Sequence, residues 1–178
     1  DTYRFAFPTR LTHSAAVATA LDLGPLRLQG SLAAMFVSDR VRRGKSAHLH
    51  EFMPAFFLNY YPFASRAFSV HAFAKRSFRM PTFNDLYYAE MGNARLRPES
   101  TNQYDVGINL EDTPDGRGWL RAYGLRMDAY YNTVADKIIA YPKGQQFRWT
   151  MLNLGRVHIW GADVLLSTTL QPAPAWSA

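Results

Sequence analysis

The chain contains no cysteine in 178 residues, which excludes a disulfide framework and any thiolate metal site. It also lacks an apolar run of the ~18 residues that a transmembrane helix requires. The formal charge is +6, yet Arg40, Arg42, Arg43 and Lys45 form the only dense basic group. With no basic stripe and no nucleic-acid motif, no nucleic-acid partner is expected. There is no Ser/His/Asp set, glycine-rich phosphate loop or metal-ligand spacing, so neither an enzyme nor a bound cofactor is expected. The chain starts at Asp1 with no signal peptide and reads as a processed or excised piece.

What is present is aromatic side chains, 15 % of the total, and alternation. Tyr104, Val106, Ile108 and Leu110 face one way, and Gln103, Asp105, Gly107 and Asn109 the other. Period 2 marks a strand with one apolar face. The pattern returns at Tyr123 to Tyr131, at Leu26 to Phe36, at Phe52 to Tyr60, at Phe68 to Ala74 and at Trp160 to Leu166, with a weaker candidate from Leu11 to Leu23. The spacing predicts about seven strands, several longer than the ~9–11 residues that cross a bilayer when tilted.

The expected connections alternate in length. Leu23 to Pro25, Pro62 to Arg66 and Thr113 to Gly118 are short, whereas Arg40 to Lys45, Met80 to Pro98 and Asp136 to Thr150 are long. Short turns on one side and long loops on the other fit an outer-membrane barrel, and aromatics near the strand ends fit its girdles. The polar faces mix Gln, Asn, Ser, Gly and single charges, as a wet lumen would. A soluble β-sandwich with an aromatic core is the alternative that the residues leave open.

Ser77 to Pro81 followed by Thr82 to Tyr88, then Asn93, Leu96, Pro98 and Glu99, then Tyr104, Asp105 and Gly107, and later Asn153 to Asp163, resembles the barrel of TonB-dependent outer-membrane receptors. Met80 replaces an alanine of that family's Phe-Arg-Ala-Pro box, and Ala94 and Arg95 depart from its Asn-Pro-Asp/Asn-Leu box. The resemblance implies that residues 1–178 are a partial antiparallel transmembrane β-barrel, about seven strands of some 22, without the plug domain or the terminal strands. It implies the Gram-negative outer membrane, with outer-membrane lipid around the barrel. It also implies TonB-energised uptake of a small-molecule or metal-chelate ligand, either an iron siderophore, haem or cobalamin, with the TonB complex engaged through the plug. A passive porin or structural barrel is the competing function.

On this reading the Met80–Pro98 loop is extracellular, and Arg79, Asn84, Asp85, Tyr87, Tyr88, Glu90 and Asn93 are its candidate ligand contacts. Tyrosine and arginine provide large contact area with a polar tip. Arg79 and Asn84 have an equal alternative role in tethering the loop, and Phe78, Pro81 and Leu86 are expected to pack. His48 and His50 share a face and are the candidates for haem or another metal, although no histidine lies between the two boxes. Asp105 and Asp128 lie on polar faces of neighbouring strands and are expected to pair with Arg126 or Lys75. His13, His71 and His158 are expected to be ordinary strand residues.

Overall fold

Each strand pairs with the next because a reversal returns the chain antiparallel beside itself. The computed structural model describes residues 7–42, 47–88, 90–114, 119–144 and 148–170. Within them lie β1 (Thr9–Leu23), β2 (Leu26–Arg40), β3 (Ala47–Tyr60), β4 (Phe68–Arg79), α1 (Phe83–Tyr87), β5 (Glu99–Asp112), β6 (Leu120–Lys143) and β7 (Arg148–Leu170). They form one seven-stranded sheet in the order β1-β2-β3-β4-β5-β6-β7. Parts of the expected Arg40–Lys45 and Thr113–Gly118 connections, and the terminal Trp176–Ala178, lie outside the described residues.

The register keeps the faces consistent from strand to strand. Leu28 lies opposite Leu58, Leu58 opposite Ala72, Ala72 opposite Val106, Val106 opposite Ala129 and Ala129 opposite Ala162. One face of the sheet is therefore apolar across β2 to β7. It leaves Leu32, Phe36, Phe52, Phe56, Tyr104, Val106, Trp160 and Val164 exposed. On β6 this face runs Tyr123, Leu125, Met127, Ala129, Tyr131. The two tyrosines are eight positions apart, ~26 Å at a rise of ~3.3 Å per residue, close to the ~25 Å apolar band of an outer-membrane barrel. Phe52 and Tyr60 bracket β3 at the same separation.

No described side chain is less than 2 % exposed. A single sheet has no second layer to pack against, and its exposed apolar face requires a non-aqueous neighbour. The β3–β4 ladder runs only from Ala55↔Lys75 to Tyr60↔Val70; Pro54, next in line, has no N–H to continue it. Beyond that point Arg76 donates to the Phe52 carbonyl and to Glu51.

One expected connection is corrected. Asp136 to Thr150 is largely strand, since β6 continues to Lys143 and β7 starts at Arg148. This hairpin rises far past the level of Tyr131, and there the alternation fades because both faces leave the apolar band. The long Met80–Pro98 connection contains the short helix α1. The weaker Leu11–Leu23 candidate is borne out as a strand, paired with β2 from Thr9↔Arg40 to Leu23↔Leu26.

Candidate functional site

The β4–β5 loop folds onto the polar face of the sheet, at the end where β6 and β7 project. Its helix starts with a capping box: the Thr82 side chain accepts from the Asp85 amide, and the Asp85 carboxylate accepts from the Thr82 amide. These contacts satisfy amides that a helix of five residues cannot pair internally. Leu86 and Leu96 from the loop bury against Ile138 of β6, with Phe83, Tyr87 and Met151 around them. This apolar cluster ties the loop to the wall. Burial holds the Tyr87 phenol above its ordinary range.

Polar tethers fix the rest. The Met151 amide donates to the Met91 carbonyl, and the Asn93 amide to that of Asp85. The Asn93 side chain donates to the Met151 carbonyl at 2.9 Å. Asn153 of β7 accepts from the Arg97 amide and donates to the carbonyls of Arg97 and Asp136. Gly92 passes so close to the helix end that a Cβ there would lie 2.5 Å from the Tyr88 amide nitrogen.

At the loop's base the β5–β6 ladder ends at Ser100↔Ala135. The buried Glu99 carboxylate then reaches up and accepts from the Ile138 amide at 2.7 Å, taking over where the backbone pairing stops. The same oxygen accepts from Arg79 at 2.9 Å, and Arg79 also reaches Asp85 at 3.3 Å. Arg79 thus clips the end of β4 to the helix and to β5.

A tether not foreseen from the sequence comes from β1. Arg10 makes a two-pronged ion pair with Asp39 at 2.7 Å, donates to the Pro81 carbonyl and lies over the Phe83 ring at 5.0 Å. Thr82-x-x-Asp85 could have signalled the helix. Nothing local in the sequence marks Arg10, whose partner Pro81 is 71 positions away.

The seven candidate contacts therefore divide. Arg79, Asp85, Tyr87 and Asn93 hold the loop together, with Arg79 still half-exposed (49 %). Asn84, Tyr88 and Glu90 are exposed; the Asn84 backbone carbonyl caps the helix by accepting from Tyr88. His48 and His50 lie on β3 opposite Ser38 and Phe36, in the row that continues the apolar face, and His50 meets the Phe52 ring edge-on. They are on the opposite side of the sheet from the loop.

Lower on the polar face, Asp128 pairs with Arg126 at 2.8 Å, as expected. The Lys75 ammonium lies instead over the Phe73 ring. His71 is not an ordinary strand residue, because its Nε2 lies 2.7 Å from Asp128. His158 is likewise engaged, with Nδ1 2.7 Å from the Tyr131 hydroxyl.

A family model described as TonB dependent receptor-like, beta-barrel, matches residues 3–178. The vitamin B12 transporter BtuB of Vibrio vulnificus is 34 % identical over 87 residues, covering 49 % of this chain and 13 % of that protein. BtuB of Photobacterium profundum is 32 % identical over 96 residues, 53 % of this chain and 15 % of that protein. In structure, the hemophore receptor HasR of Serratia marcescens, solved with its hemophore HasA and heme, superposes with a TM-score of 0.75. It shares 13 % identity over 90 % of this chain and 32 % of its own, a likeness of fold alone. The chain thus spans a small part of the length of each relative. With the apolar row facing outer-membrane lipid and the polar row facing the lumen, it belongs to the TonB-dependent receptors as a portion of their transmembrane β-barrel.

Proposed function

We propose that this wall belongs to a receptor that binds a scarce solute outside the outer membrane and admits it with energy from the TonB complex. Both edge strands, β1 and β7, pair on one side only, and unpaired edges in lipid cost several kcal/mol per group. Further strands of the same protein therefore close the barrel, and a plug domain that engages TonB fills it. The leading cargo is a corrinoid, because both sequence relatives are vitamin B12 transporters; a ferric siderophore and haem are the alternatives.

The observation that carries this reading is the fixed loop. A surface locked by Arg10, Asn93, Glu99 and Asn153 presents Asn84, Tyr88 and Glu90 without an ordering cost at binding. A passive porin needs no such construction.

The test is equilibrium binding of cyanocobalamin, a ferric siderophore and haemin to the intact protein in detergent. One of the three binds saturably, and Asn84→Ala with Tyr88→Ala weakens it at least about tenfold, the scale of a contact worth more than ~1 kcal/mol. Unchanged affinity in a correctly assembled double variant removes the loop from recognition. Solute entry that persists without TonB energy supports the porin instead.

A further inference from the structure

We infer that the barrel wall carries a divalent metal site formed by His71, Asp105 and Asp128 on the lumen face. The site does not depend on which solute the receptor takes up. The three residues come from β4, β5 and β6, and one ligand atom of each lies within 4.8 Å of the others. The register creates the group. His71 is opposite Gly107, Gly107 is opposite Asp128, and Asp105 is two positions along β5 on the same face. Gly107 is what lets the donors meet: a Cβ there would lie 2.6 Å from His71 Nε2 and 2.7 Å from Asp128 Oδ1.

The network is unfinished as it stands. His71 Nε2 is 2.7 Å from Asp128 but 3.9 Å from Asp105, beyond hydrogen-bond reach. The Asp105 side chain is only 12 % exposed and accepts no hydrogen bond from any described residue. Asp163 is opposite Asp128 on β7, so a third carboxylate lies in the same polar row. A cation set between the three donors would give Asp105 the close partner that His71, at 3.9 Å, does not.

A divalent ion would bind Nε2 of neutral His71 and one oxygen each of Asp105 and Asp128, exchanging the His71–Asp128 hydrogen bond for two metal bonds. The observed separations straddle the ~3 Å spacing of donors that share an ion through bonds of ~2.1 Å. Arg126 donates to Asp128 Oδ2 at 2.8 Å and to Oδ1 at 3.3 Å; its bond to Oδ2 would remain and orient that ligand, as outer partners of metal-bound carboxylates do. One imidazole with two carboxylates suits a first-row divalent ion such as Zn²⁺, Mn²⁺ or Co²⁺, with the remaining positions open to the lumen.

The experiment titrates chelator-stripped intact protein in detergent with Co²⁺, read by its visible absorption, and then displaces it with Zn²⁺. The wild type shows a saturable site, and His71→Ala, Asp105→Asn and Gly107→Ala each weaken it at least about tenfold. Asp22→Asn, at an exposed hairpin far from the cluster, leaves it unchanged. Assembly of each variant is checked by heat-modifiable migration in gels, and His71→Gln replaces His71→Ala if the latter misassembles. A wild type with no saturable site overturns the inference. So does a site of unchanged affinity in an assembled His71 variant and in Asp105→Asn.

Discussion

Removing the Glu99 carboxylate should release the loop without opening the barrel. Glu99 is 6 % exposed, and its Oε1 serves both the buried Ile138 amide and Arg79. In Glu99→Ala the Ile138 N–H is left buried and unpaired, a cost of about 1–3 kcal/mol. The lost ion pair adds less than about 1 kcal/mol, because Arg79 is half-exposed. The total, about 1–4 kcal/mol, raises the population of the open loop roughly 5- to 1000-fold. Arg79→Ala leaves the Ile138 amide paired, loses only ion pairs made by a half-exposed guanidinium, and raises it less than about tenfold. Hydrogen exchange by mass spectrometry on peptides spanning 83–98 in the intact protein reads both. Equal effects of the two substitutions, or unchanged protection in Glu99→Ala, would refute the role given to the buried amide.

Two further perturbations separate loop from wall. Gly92→Ala drives a methyl into the backbone of Tyr87 and Tyr88 and should cost the loop about 1–3 kcal/mol, seen as faster proteolysis at 83–98 with normal barrel assembly. Met127→Arg, midway between Tyr123 and Tyr131 on the apolar row, should cost about 2–4 kcal/mol and reduce assembly into the outer membrane. Gln103→Arg on the lumen row should assemble normally, and equal assembly of these two variants would contradict the assignment of faces.

Much of the wall was legible because a single sheet between lipid and water imposes a strict period of 2, and β5 shows it cleanly from Gln103 to Leu110. The β6–β7 extension was not legible. Above the bilayer both faces meet water or the docked loop, so Ile138 and Ile139 sit side by side and Pro142 and Gly144 read as a turn. The candidate site was only half visible. The aromatic and amide content of Phe83 to Asn93 marked the loop, but the division between tethers and free side chains depends on Ile138, Met151 and Asn153, which only the register brings near. His71 escaped notice for the same reason, because Asp105 and Asp128 approach it across strands.

The absence of cysteine makes the decisive measurement clean, since any single cysteine introduced into this segment is its only one. Spin labels placed one at a time from Gln103 to Leu110 in the intact protein, in bilayers, report access to oxygen and to a water-soluble relaxant. Oxygen access is expected at 104, 106, 108 and 110 and water access at 103, 105 and 109. Uniform access to water along β5, or the opposite phase, would contradict a wall with its apolar row in lipid and its polar row in the lumen.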